Sequence, residues 1–242
     1  MKPIAKVYFD CEFTGLKKDT DLISMGLTSP LSTGEGYNSL YIEFTDYDKN
    51  KVTDDWIQRN VINHLMFNSE EVKEGQYFEH KMGKLRCYKC SKDKAKSFIF
   101  DFLQGVYEAF WDECPEDPWE NDPQVQMVSD VCHYDFVLFL DLFGTALDLP
   151  SFISPVCLDI NSGIAKFCGI RDTEAFDMSR EKLASILADM VDITHPELFI
   201  NSDINELPEE IRDKKHNALY DAFIIRKIDT CLDHISTLPF SC

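Results

Sequence analysis

Residues 7–16 read VYFDCEFTGL, and this stretch constrains the chain more than any other. Val7, Phe9, Cys11 and Phe13 alternate with Tyr8, Asp10 and Glu12, which is the period of a β-strand. Asp10 and Glu12 therefore share one face while the apolar set takes the other. Two carboxylates this close repel unless something positive sits between them, and a divalent cation answers that need. Ordinary half-exposed strands also alternate in this way. The same spacing recurs at Asp172 and Glu174, where nothing nearby suggests chemistry. The pair gains meaning only from what the rest of the chain brings to it.

Residues 4–13 read as a first strand, DLISMGLTS as a second and GYNSLYIEFT as a third, forming an antiparallel meander. TDDWIQRNVINHL opens on a Thr or Asp cap signal and carries Trp56, Val61, Ile62 and Leu65 at helical spacing. A polar, Lys-rich stretch near 68–97 reads as an excursion from the core, and AKSFIFDFLQGVYEAFW as an amphipathic helix. The Pro-rich acidic segment near 112–123 reads as an exposed loop. QVQMVSD is a fourth strand followed by a helix, YDFVLFLDLFGTAL; SPVCLDI is a fifth strand, and SREKLASILADMV is helical. HNALYDAFIIRKIDTCLDHI closes the pattern as a helix with Leu219, Phe223, Ile224, Ile228 and Leu232 on its apolar side. The expectation is an α/β fold in one domain over 1–242, with a mixed five-stranded sheet flanked by helices.

Hydrophobic residues make up 44% of the 242, enough for a substantial core, and no apolar run reaches membrane-spanning length. The N-terminal residues lack the pattern of a signal peptide, and nine irregularly spaced cysteines fit a reducing compartment, so a cytoplasmic protein is expected. Forty-three acidic residues against 24 basic give a formal charge of -19, which repels nucleic acid at long range. A polyanion would have to be met through metal ions or a local basic patch. HKMGKLRCYKCSKDKAK supplies a candidate patch with Lys81, Lys84, Arg86, Lys89, Lys92, Lys94 and Lys96, although a solvated charged face has the same composition. Lys214 and Lys215 form a smaller cluster beside His216.

Two later segments bear on Asp10 and Glu12. VSDVCHYDFVLF offers Asp130 and Asp135 at the carboxyl end of a strand, where open α/β sheets bind ligands. KKHNALYDA opens the last helix with His216 five residues before Asp221. The ordered motifs FDCEFTGL, HYDFVLF and HNALYDA resemble those of the DEDDh group of 3′–5′ exonucleases, whose fold is ribonuclease H-like. LISMGL, IEFTDYD and SDVCHYDFVLFLDLFG are similar to the RNase AS-like exoribonucleases, relatives of RNase T and oligoribonuclease, over about residues 4 to 230.

The resemblance implies four metal-binding carboxylates, Asp10, Glu12, Asp135 and Asp221, with His216 as general base. Asp130 competes for the third position, but Asp135 stands where the family motif places its acid. Oxygen ligands suit Mg2+ or Mn2+, and two ions about 4 Å apart can clamp the attacking and leaving oxygens of a phosphodiester. Phe13, Thr14, Gly15 and Leu16 would meet the terminal nucleotide. The implied activity is hydrolysis of single-stranded RNA from its 3′ end to nucleoside 5′-monophosphates, by a protein that related enzymes suggest is a homodimer. A proofreading-type DNA exonuclease and a non-catalytic RNA-binding protein on the same fold are the alternatives. CYKC could be half of a zinc site with His80, but a single C-x2-C pair is weak. Trp56, Trp111 and Trp119 fit packing roles better than base stacking, and His133 reads as structural.

Overall fold

A computed structural model describes residues 4–30, 37–68, 77–80, 83–112, 124–194, 207, 209 and 211–236. Its centre is a mixed sheet of seven strands in the order β4-β5-β3-β2-β1-β6-β7. These are β1 (Ile4–Phe13), β2 (Leu22–Pro30), β3 (Tyr37–Phe44), β4 (Tyr77–His80), β5 (Gly83–Cys90), β6 (Gln124–Ser129) and β7 (Leu158–Asp159). The expected meander is present, since β1 pairs antiparallel with β2 and β2 antiparallel with β3. β3 pairs parallel with β5, β1 parallel with β6 and β6 parallel with β7.

The count of five strands is corrected to seven. Both additions come from the Lys-rich stretch expected to leave the core. β5 alternates Lys84 and Arg86, exposed, with Leu85 and Cys87, fully buried. Long basic side chains on the open face give such a strand a polar composition although half of it is core. β4 covers it as the edge strand. The fifth expected strand shrinks to the two residues of β7.

Helices pack on both faces. α1 (Asp55–Asn60) is capped by the Asp54 carboxylate, which accepts from the Trp56 N–H. α2 (Lys92–Asp112) and α3 (Cys132–Phe143) share a core with Val7, Phe9 and Cys11 of β1. Two helices that periodicity did not announce, α4 (Ile160–Cys168) and α5 (Asp172–Phe176), join α6 (Arg180–Thr194) and α7 (Ala218–Ser236) on the face of Tyr8 and Tyr41. The Asp172–Glu174 repeat of the D-x-E spacing is a surface feature of α5, where Glu174 pairs with Arg171. No helix among the described residues is long and apolar enough to cross a membrane.

Register decides what faces α7. Asp10 lies opposite Gly26 and Gly26 opposite Tyr41; Glu12 lies opposite Ser24 and Ser24 opposite Glu43. These two rows share the sheet face on which α7 lies. The helix begins at the carboxyl end of β1, and at its far end Asp229 and Asp233 meet Lys6 at 2.7 and 2.6 Å. Its N-terminus is thereby set above the two carboxylates.

Candidate active site

β1 carries Asp10 and Glu12 to the rim of the sheet, and an irregularity in the β1–β2 pairing falls between Glu12 and Phe13. Such a bulge re-aims a side chain at the end of a strand. β1 and β6 last pair at Tyr8 and Val128. Beyond that point, the Cys11 N–H donates to Asp135 Oδ1 at 3.1 Å and the Ser129 hydroxyl to Asp135 Oδ2 at 2.8 Å. Asp135, only 4% exposed, thus locks the first turn of α3 against β1. Asp221, in the first turn of α7, accepts the His216 N–H at 2.9 Å.

Asp10, Glu12, Asp135, Asp221 and His216 line one cleft of about 440 Å3, with Phe13, Leu16, Tyr134, Phe176, Arg180 and Lys215 among its other walls. Ligand atoms of Glu12, His216 and Asp221 lie within 4.8 Å of one another. Burial and then the charges of Asp135, Asp221 and Glu12 push the Asp10 carboxyl well above its usual range. Burial followed by Asp221 and Asp135 does the same to Glu12. Asp135 and Asp221 are each raised to about 7, chiefly by burial; hydrogen bonds from Ser129 and Cys11 oppose the rise in the first, and the His216 N–H opposes it in the second. Burial and the neighbouring Lys215 hold His216 below the usual imidazole value. Four acids brought together in this way could hold a hard cation, since carboxylate oxygens are the donors that such ions accept.

Asp130 lines the cleft but is engaged elsewhere. Its carboxylate takes Arg180 Nε at 2.6 Å, Arg180 Nη2 at 3.0 Å and the Asn161 amide at 2.8 Å. That bidentate pair ties the end of β6 to α4 and α6. Between the two aspartates, the β-branched Val131 has φ 55°, and His216 has φ 64°. Left-handed backbone at such residues costs about 1–3 kcal/mol each and clusters at functional sites.

A second pocket, of about 490 Å3, adjoins the cleft through Glu12, Phe13 and Leu16 and continues along Thr14, Gly15, Trp56 and Ile57. Leu16 is 69% exposed. Thr14 has a framing role, its hydroxyl accepting from the Asp21 N–H while its own N–H donates to the Asp21 carbonyl. Trp56 is the residue that sequence reasoning misplaced. It is 46% exposed, and its ring meets His216 edge-on with 4.7 Å between centroids. Periodicity counted it with the apolar face of a helix, but α1 is only six residues long and buries Ile57 instead.

The basic patch is largely dispersed among acidic and apolar partners. Lys89 faces Glu43 at 4.0 Å, Lys92 pairs with Asp21 at 3.6 Å, and Lys96 donates to the Phe143 carbonyl. Lys84 and Arg86 are exposed, while Lys81 lies outside the described residues. Lys215 pairs with Glu181 at 3.4 Å. Cys87 and Cys90 belong to the cores on opposite faces of the sheet, so the two thiols do not face one another as a ligand pair; the His80 side chain lies outside the described residues. Trp119 and all of the acidic stretch near 112–123 except Asp112 are outside them too. His133 is exposed beside Tyr134. No protein-family model and no curated protein matches the chain.

Proposed function

We propose that the protein is a metal-dependent 3′–5′ exoribonuclease of the DEDDh type on a ribonuclease H-like fold, acting on single-stranded RNA. The observation that carries this reading is convergence: acids from β1, α3 and α7 meet one histidine in a single cleft. Asp10, Glu12, Asp135 and Asp221 would hold Mg2+ or Mn2+, two ions per site. When bound, the ions supply charge to the phosphoryl group and acidify a water.

The chain's own groups do the rest. Burial and Lys215 lower the basicity of His216 and so favour the neutral imidazole, whose ring nitrogen can take the proton of the attacking water. Asp221 holds the His216 N–H, which couples a ligand to the base. The adjoining pocket, within the roughly 300–1,000 Å3 usual for small-ligand sites, takes the terminal nucleotide. Leu16 and Trp56 offer apolar surface to its base, and Gly15, at φ 150°, lets backbone approach closely. A duplex end would have to unpair to enter. RNA is favoured over DNA because its 2′-hydroxyl offers an extra hydrogen-bonding group.

Matched RNA and DNA oligomers, each with a free or phosphorylated 3′ end, test the reading in the presence of Mg2+. The expected result is release of nucleoside 5′-monophosphates from unblocked RNA, with a 3′-phosphate stopping the reaction. Cleavage of a circular RNA would overturn the direction, and faster digestion of DNA would overturn the choice of sugar.

A further inference from the structure

Glu43 presents a cost that the hydrolytic site does not explain, since it is 1% exposed and its Oε2 has no hydrogen-bond partner among the described residues. Burial pushes its carboxyl up, against the Phe67 N–H, Lys89 and the Tyr41 hydroxyl. The other oxygen, Oε1, accepts from the Tyr41 hydroxyl at 3.1 Å and from the Phe67 N–H at 2.9 Å. Since Oε1 already accepts the Phe67 N–H, it serves Tyr41 as an acceptor too, and the Tyr41 O–H points at Glu43, leaving the phenol oxygen as an acceptor. That acceptor receives the Asn217 amide N–H at 3.2 Å.

The polarity then runs on without a free choice. With its Nδ2 given to Tyr41 and to the His64 carbonyl at 3.0 Å, Asn217 must turn Oδ1 toward α7. There Oδ1 accepts the N–H groups of Leu219 and Tyr220, which caps the helix. Asn217 is also the residue whose carbonyl receives the Asp221 N–H, and it directly follows His216. The His64 ring adds a second fastening at 2.6 Å to the Lys215 carbonyl.

We propose that Tyr41, oriented by Glu43, is a positioning residue that sets the Lys215–Asn217 loop and the start of α7, and through them His216 and Asp221. The link to turnover rests on the exonuclease reading; the link to geometry does not. The buried carboxylate thus gives direction to a hydrogen-bond chain that fixes an amide and a helix start.

Trp56 supplies the readout, because its ring touches His216. With Trp111 and Trp119 replaced by Phe, its emission reports the loop in the free protein. Tyr41→Phe deletes one hydroxyl and should shift that emission and lower kcat about 10–100-fold, the scale of a small misplacement, with KM changed by less than about threefold. Ser39→Ala removes another buried hydroxyl of β3, one bonded to Thr28 at 3.0 Å, and should leave both readouts as they are. Glu43→Gln keeps an acceptor for Tyr41 and should preserve the emission, whereas Glu43→Leu removes that acceptor and should shift it as Tyr41→Phe does, which tests the chain even if Tyr41→Phe folds poorly; no shift in Glu43→Leu would overturn it. An emission shift in a protein without nuclease activity would uphold the positioning role and remove only the exonuclease reading. Unshifted emission in Tyr41→Phe, or the same shift in Ser39→Ala, would overturn the proposal.

Discussion

Gly26 of β2 and Leu219 of α7 approach so closely that a Cβ added to Gly26 would lie 2.3 Å from the Leu219 Cα and 2.4 Å from its nitrogen. Both atoms are helix backbone and cannot swing aside. Gly26 also stands between Asp10 and Tyr41 in the cross-strand row, so the missing side chain lets the helix start descend beside both.

Gly26→Ala should therefore lift the first turn of α7, carrying Asp221 and His216 away from Asp10. The expected cost is about 1–3 kcal/mol or more, the scale of overpacking, together with loss of hydrolysis. Gly105→Ala is the control, on an exposed position of α2 where an added Cβ meets nothing within 4 Å. It should gain about 0.8–1 kcal/mol of helix stability. Thermal unfolding of the two variants checks both signs.

Asp10→Asn should abolish hydrolysis and leave the fold as stable or more so, because it removes one charge from a crowded buried set. Asp135→Asn should also be inactive. Asp130→Asn breaks the Arg180 pair instead, so its main effect should be a lower melting temperature. Near-normal turnover by Asp10→Asn in Mg2+ would show that this carboxylate is not a metal ligand.

Trp56→Ala should weaken RNA binding by about 1–3 kcal/mol, the range for losing one base-stacking ring, and Trp56→Phe by less. Oligonucleotide titration on the Asp10→Asn background would separate binding from turnover. Equal affinity in Trp56→Ala would return this ring to a packing role.

Asp21 ties the frame of the second pocket to α2 and to the 48–51 turn. Burial alone would raise its carboxyl, but the Asp48 N–H, Lys51 and Lys92 together hold it below the usual value. A depressed folded value means that its stabilisation is present above the unfolded value of about 3.9 and is lost as pH falls through the folded one. Asp21→Asn should thus be less stable than the parent at pH 7, with the difference fading in acid below pH 4. A constant difference in urea midpoint across that range would show that the ionised carboxylate contributes nothing.

Short-range patterns in the chain fix the local part of this protein. Strand alternation placed Asp10 and Glu12 on one face, and helical spacing found α2, α3, α6 and α7, because both periods are written in neighbouring residues. The acids and His216 were legible as an ordered set of motifs. Tertiary structure decided the rest, through contacts between segments far apart in the chain. β5 is core although its composition is basic, since Lys84 and Arg86 extend from a strand whose other side chains are buried. Asp130 and Asp135 look alike in sequence; Arg180, fifty residues on, engages the first, and the free Cys11 N–H at the end of a ladder engages the second. Trp56 turns to His216 because α1 is too short to bury it. The Glu43–Tyr41–Asn217 chain exists only because pairing register puts Tyr41 beside Gly26, and Gly26 alone leaves room there for the helix that carries Asp221.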